Sequence, residues 1–430
     1  MDGTNVVRRP PFGTNPLVGE RGSDTQRRIL SAALEVFAEV GYNDTRVELI
    51  TERAGCSRPA FYQYFSSKDD VFWKLAGHLG KEMVDLGKQL PEINPDAAGV
   101  TALARWIDDF ITLYSTYSPV FEAFQAASRD HKPMARGSSS ISERLGATLL
   151  RAFGIDAAED GADHLATGLV AVLIRCSFYW ENMAGALPRE RVVTGLAELV
   201  HRLLAGPIDG VNLTRSGPGN ARVPAPASVT PASPAATDNS RPLRPRGERT
   251  RQRLLDAGAT VLPTRGYHDA RVDDIVEVAG VSHGSFYRYF DNKDDFFRAL
   301  AEAASTRMIE LLNLFPAEAD GGDLEKWFEA WFDTYGSNGG VISTWQEMQS
   351  ADPDLVSFSQ QVGASVVAQL VEVLDTRDFG DSTVDALALL ALIERLPYSV
   401  FTLRFAKQAE AIDAMVTIYQ RGFMGLADSA

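Results

Sequence analysis

A stretch of 32 residues occurs twice in this chain, and that repetition limits the folds open to it more than any other feature. From Gly41 the sequence reads GYNDTRVELITERAGCSRPAFYQYFSSKDDVF, and from Gly266 it reads GYHDARVDDIVEVAGVSHGSFYRYFDNKDDFF. The two align without a gap, and the offset of 225 residues between Gly41 and Gly266 also carries Arg21-Gly22 onto Arg246-Gly247 and Trp106 onto Trp331. A period this long exceeds that of a solenoid, whose units run to about 50 residues. It indicates two whole units in one chain of 430 residues.

Between them lies 206–245, rich in Pro, Ala, Ser and Gly, with Pro218, Pro224, Pro226, Pro231 and Pro234. That composition buries too little apolar surface to offset ordering entropy, so a flexible linker is expected. A coil of this length spans roughly 35 Å, enough for the units to pack side by side. Residues 1–20 are expected to be a disordered arm on the same grounds.

Within each unit the periodicity is helical. Ile29, Leu30, Ala33, Phe37 and Val40 recur at helical spacing, and Gly41 follows as a C-terminal cap. Val47, Ile50 and Ala54 mark a short second helix, and Thr45 with Glu48 has the spacing of a capping box. Ala270 stands in place of Thr45 in copy two, which predicts a weaker cap there. Pro263 occupies the position of Ala38 and predicts a kinked or shortened first helix in copy two.

Gly55 then marks a left-handed turn, Ser57 an N-cap, and Pro59 the first turn of a third helix. Gly280 and Ser282 repeat the arrangement. Two helices joined by such a turn suggest a helix-turn-helix, whose second helix enters the DNA major groove. Phe61 and Phe65, like Phe286 and Phe290, are spaced to face the core, leaving the tyrosines between them outside. Ser66 and Asp291 are placed to cap a fourth helix, with Lys68 or Lys293 in its first turn, where phosphate is favoured.

Residues 21–75 and 246–300 resemble the N-terminal domain of TetR-family regulators, through the Gly-Tyr after helix one, the Ala-Gly-x-Ser turn, the Phe-Tyr-x-Tyr-Phe run and the Lys-Asp that follows. The resemblance implies an all-α chain of two TetR-like units. Each has a three-helix head with a helix-turn-helix and a larger helical body, at 76–205 and 301–427, for ligand and dimerisation. It implies double-stranded DNA as partner. Its DNA-contacting positions fall on Arg46, Ser57, Arg58, Ala60, Tyr62, Tyr64 and Lys68 in copy one. In copy two they fall on Arg271, Ser282, His283, Ser285, Tyr287, Tyr289 and Lys293. Arg21, Arg244, Arg246 and Arg249 in the leading arms could add phosphate contacts.

The heads differ where bases would be read: Arg58-Pro59-Ala60 becomes His283-Gly284-Ser285, and Gln63 becomes Arg288. Arginine pairs bidentately with guanine, which serine and neutral histidine do not. Unlike heads predict an asymmetric operator, since operator symmetry mirrors protein symmetry.

The bodies are rich in aromatics, and family members commonly bind an apolar effector there. Trp106, Phe110 and Tyr114 in copy one, and Trp331, Tyr335 and Trp345 in copy two, are the candidates, with core packing the plainer alternative. The region from Trp331 to Arg404 is loosely similar to the mycobacterial repressor of the ethionamide-activating monooxygenase, but Leu390 and Ile393 stand at polar channel positions. Helices at 164–182 and 189–204, with 386–407 and 410–426, are the expected pairing surface, giving an intramolecular pseudo-dimer or pairing between chains.

The formal net charge of −15 is a whole-chain average and does not exclude a local basic face. Cys56 and Cys176 fit neither a disulfide framework nor a zinc site, which points to a reducing cytoplasm. Arg175, and Glu394 with Arg395, interrupt the longest apolar runs, so no membrane span is expected. The six histidines are scattered and no nucleophile or phosphate-loop motif is present, so neither catalysis, metal nor cofactor is expected. The leading reading is a transcriptional repressor released by a small apolar effector. A ligand-independent regulator, or an interaction scaffold with one degenerate head, is the alternative.

Overall fold

The computed structural model describes residues 20–128, 132–156, 161–182, 187–206, 245–316, 321–348, 353–403 and 407–426. The expected N-terminal arm apart from its last residue, all but the ends of the linker, and Arg244 fall outside them, as do the side chains of Arg21 and Trp345.

Among the described residues every regular element is helical. In copy one these are α1 (Glu20–Asp44), α2 (Val47–Arg53), α3 (Arg58–Tyr64), α4 (Lys68–Gln89), α5 (Ala97–Ser128), α6 (Lys132–Ala152), α7 (Ala162–Asn182) and α8 (Arg189–Ala205). Copy two follows with α9 (Pro245–Asp269), α10 (Val272–Ala279), α11 (His283–Phe286), α12 (Lys293–Leu312), α13 (Gly321–Met348), α14 (Pro353–Leu374), α15 (Ser382–Tyr398) and α16 (Gln408–Thr417). The last two run on into π-helical turns at Ser399–Leu403 and Ile418–Phe423. None of these helices is long and apolar enough to cross a membrane.

The chain divides into two compact units, one of residues 1–86 with 112–141, the other of 87–111 with 142–430. This division does not follow the repeat, because α7 and α8 of copy one share a core with copy two.

Gly41 and Gly266 break α1 and α9 at the same place, with φ of 75° and 69°. Only glycine takes such a conformation at little cost. The backbone stays helical through Pro263, so α9 is not shortened there. Proline's fixed φ is itself helical, so what is lost is a hydrogen bond rather than the conformation.

In the second unit α7 packs on α15 and α16, and α8 on α15 and the turn after α16. The approach is close at two glycines of copy one. A Cβ on Gly195 would lie 2.9 Å from Val384 Cβ, and one on Gly168 would lie 3.1 Å from Ile418 Cδ1. Charged groups cross the same seam. Arg175 Nη2 is 2.7 Å from Glu394 Oε1, Arg191 Nε 2.5 Å from Asp381 Oδ2, and Arg202 Nη2 3.1 Å from Asp385 Oδ2. Tyr179 also donates its hydroxyl to Glu394.

Glu198 is buried beside this cluster. Burial, with help from Asp385 and Asp381 and against Arg202, pushes its carboxyl up to about 7. The folded chain therefore holds this proton more tightly than the unfolded chain. Stability falls as pH rises through the interval from about 4.5 to about 7, by up to about 3 kcal/mol, and stays lowered above it. Glu198→Gln is expected to reduce that slope and to raise the melting temperature at pH 8, read from thermal melts between pH 5 and 8.

The body aromatics are packed among themselves. Trp331 is buried and stacks on Trp327 at 5.2 Å. Its indole donates to the Ile393 carbonyl at 2.6 Å. That carbonyl would meet the N–H of residue 397, but Pro397 has none, so the tryptophan satisfies an acceptor the helix leaves open. Trp106 stacks on Phe110 at 5.8 Å, Tyr114 on Phe121 at 4.8 Å, and Tyr335 on Phe401 at 6.2 Å. Leu390 is half-buried and Ile393 fully buried.

Candidate nucleic-acid interface

Each head is three helices around a small aromatic core. Phe61 and Phe65 are buried in copy one, and Phe286 and Phe290 in copy two, as their spacing predicts. Gly55 and Gly280 take φ of 59° and 62°, turning the chain between the second and third helices. This turn is clamped from below by a residue that sequence reasoning missed. Arg28 donates from Nε to the Ala54 carbonyl at 3.1 Å and from Nη2 to the Gly55 carbonyl at 3.0 Å. Arg253 reaches the Ala279 and Gly280 carbonyls in the same way. Both arginines lie at the common offset, a signal open to reading in the sequence. They satisfy carbonyls that the end of a helix leaves without partners.

The caps differ from those expected. Thr45 donates its hydroxyl back to the Gly41 carbonyl at 2.6 Å and does not cap α2, which begins after Arg46 without a side-chain cap. In copy two Asp274 accepts from the Arg271 N–H at 2.9 Å, so the better-capped helix is α10. Asp274 aligns with Leu49, which has no acceptor to offer. The fourth helices are capped one residue later than expected, by Ser67 Oγ and Asn292 Oδ1 rather than Ser66 and Asp291.

The recognition helices are unequal. Ser57 Oγ accepts from the Ala60 N–H at 3.3 Å, Pro59 fills the first turn, and α3 runs for 7 residues. In copy two Ser282 Oγ instead meets Ser285 Oγ at 2.8 Å, Gly284 replaces the proline, and α11 has 4 residues. Losing both the cap and the rigid first turn removes the local terms that favour a longer helix.

Tyr62 and Tyr287 stand out from these helices, 53% and 50% exposed. Arg46, Ser57 and Arg58 are exposed in copy one, as are Arg271, Ser282, His283 and Arg288 in copy two; Ala60, Tyr64, Ser285 and Tyr289 are half-buried. Arg246 and Arg249 of the second arm are exposed too. The first residue of each recognition helix pairs with an acid on the helix before it: Arg58 with Glu48, and His283 Nε2 with Asp273 Oδ1 at 3.2 Å. Glu48 and Asp273 also share the offset; Glu48 was read from sequence only as part of a capping box, and Asp273 was not singled out.

Lys68 departs from the expected phosphate contact. Its ammonium donates to the carbonyls of Tyr42, Asn43 and Thr45 at 2.7, 2.9 and 3.1 Å, which uses all three of its N–H groups. Burial holds it below the usual lysine range. The turn after Gly41 leaves carbonyls open, and Lys68 closes them. Lys293 likewise donates to the Ala270 carbonyl at 3.3 Å. Lys68→Met is expected to destabilise the first head by about 1–3 kcal/mol while leaving the salt dependence of DNA binding unchanged. A phosphate contact would lower the slope of log K against log salt by about 0.9.

Two stretches, 29–74 and 254–300, match the family model described as bacterial regulatory proteins, tetR family. The transcriptional activator FasR of Mycolicibacterium smegmatis is 27% identical over 218 residues, covering 49% of this chain and 94% of that protein. The transcriptional regulator AcuR of Cereibacter sphaeroides is 40% identical over 89 residues, covering 20% of this chain and 41% of that one. A TetR-like regulator from a Rhodococcus species, at 24% identity and a TM-score of 0.35, covers 43% of this chain and 100% of its own.

Proposed function

From the premise that this chain is a TetR-family, DNA-binding transcriptional regulator with two family units in tandem, we propose that it reads an asymmetric operator with two unlike heads on one polypeptide. The observation that supports this reading is the pair of recognition helices: α3, 7 residues long and led by Arg58, and α11, 4 residues long and led by His283. A bidentate arginine selects guanine in the major groove. A histidine on a single helical turn has no equivalent fork.

In this reading the chain acts as an intramolecular pseudo-dimer joined through α7, α8, α15 and α16. Head one supplies base readout through Arg58 and Tyr62, with Arg46 on the backbone. Head two supplies Arg288, Tyr287 and Arg271, with more of its contacts to phosphate than to bases. It acts as a repressor, and a small apolar effector releases it by binding the DNA-incompetent arrangement of the bodies more tightly. The described aromatics of both bodies are taken up in packing, so that effector enters by displacing helices rather than by filling a ready space.

Binding-site selection with the full chain, followed by titration of the selected DNA at two salt concentrations, tests the reading. The expected result is two unlike half-sites and a steep salt dependence. A clean inverted repeat would sink it. The brevity of α11 favours a second reading, in which head two is degenerate, and the same selection would then return a single half-site.

A further inference from the structure

The seam between the copies carries its charges in a segregated pattern. Among the described residues, Arg175, Arg191 and Arg202 of copy one meet Glu394, Asp381 and Asp385 of copy two across it. A fourth contact, His164 Nε2 to Glu410 Oε2 at 3.3 Å, also runs from copy one to copy two. The pairs are deep: side-chain exposure is 11% and 10% for Arg175 and Glu394, and 3% and 1% for Arg202 and Asp385.

From this pattern we infer that the seam is a recognition code under which copy one pairs with copy two and neither copy pairs with its own kind. The helices align by their starts, α7 with α15 and α8 with α16. The positive-φ glycines that end the last two, Gly206 and Gly425, align as well. In that alignment Asp381, Asp385 and Glu394 correspond to Gly161, Leu165 and Ile174. Two copies of copy one would thus set Arg191, Arg202 and Arg175 against a glycine, a leucine and an isoleucine. Buried guanidinium groups without acids are strongly penalised.

Two copies of copy two fail for a different reason. Gly168 and Gly195 correspond to Ala388 and Ala414, and Arg191 corresponds to Glu410. Ala414 would then bring a Cβ to the position 2.9 Å from Val384 where Gly195 has none. Glu410 would face Asp381, like charge against like. The code therefore excludes one self-pairing by unpaired charge and the other by shape and repulsion, the two usual devices of specificity.

This inference rests on the proposed pseudo-dimer and extends it. Copy one always stands with copy two, so an Arg58 head is never matched with a second Arg58 head on a palindrome.

The test uses four forms of the full chain: wild type, Arg175→Glu, Glu394→Arg and the double exchange R175E/E394R. Mass by light scattering and melting temperature are read for each. The expected result is a one-chain mass for wild type, a melting temperature lowered by about 2 °C or more in each single variant, and recovery in the double. The two single variants, unfolded together and refolded as a mixture, are expected to give a two-chain species, because each supplies the charge the other now needs. A double variant no more stable than the singles overturns the code, as does a mixture that stays at one-chain mass. If instead the pairing results hold while DNA selection returns a palindrome, the operator reading fails and the code stands.

Discussion

Replacing Asp385 by alanine is expected to destabilise the chain by about 3–5 kcal/mol, the largest effect of any single substitution at the seam. Asp385 is fully buried and takes Arg202 from copy one at 3.1 Å and Arg377 from its own copy at 2.9 Å. The two guanidinium groups lie 4.9 and 5.1 Å from the Phe379 ring, each only 3% exposed. Gly380 above them has φ of 73°, and a Cβ there would come within 2.8 Å of Asp385 Oδ2, so the loop closes on the carboxylate only because that position is glycine.

Burial nonetheless raises the Asp385 carboxyl above its ordinary range, despite both arginines. Desolvation here works against the attraction, as it does in buried ion pairs generally, whose complete replacement by apolar residues of similar volume is often neutral. Removing the cluster in part is what is costly, because two cations are then left in the interior with nothing between them. Urea unfolding of the full chain at fixed pH measures this. Arg377→Ala is expected to cost less, since it leaves one matched pair. A D385A variant within about 0.5 kcal/mol of wild type would contradict the account, since that is the range of ordinary surface substitutions.

The two heads were legible in the sequence because what builds them is local. Glycine turns, alternating aromatics and short apolar periods act within a few residues, and the 225-residue repeat printed each signal twice. Details that hinge on which of two neighbours reaches a backbone group were not: the caps at Ser67 and Asn292, and the inward turn of Lys68, depend on the path of the chain in space. The seam is the clearest case. Arg175 and Glu394 break the two longest apolar runs, and from sequence that argued only against a membrane span. They are each other's partners, 219 residues apart. Nothing in a single sequence links two charges at that separation, although a lone charge inside an apolar helix always requires some partner.

At the DNA, the asymmetry between the heads has its own measurable consequence. Arg58→Ala is expected to weaken binding to the selected operator by about 1–3 kcal/mol, roughly 5- to 150-fold, and to relax base preference at one half-site alone. His283→Ala is expected to change affinity far less, because the residue it removes has no bidentate fork and leads a helix of only 4 residues. Glu48 sharpens the comparison. It pairs with Arg58, and under the proposed readout its carboxylate must give up that partner when guanine takes it. Glu48→Gln keeps a neutral hydrogen-bonding group there while removing the competing charge, and so is expected to raise affinity for every sequence while lowering discrimination at the Arg58 half-site. Titrations of these variants on the operator, and on copies mutated in each half-site, separate the effects. Equal losses for Arg58→Ala and His283→Ala would mean that both helices read bases alike, and the unequal division of labour would have to be abandoned.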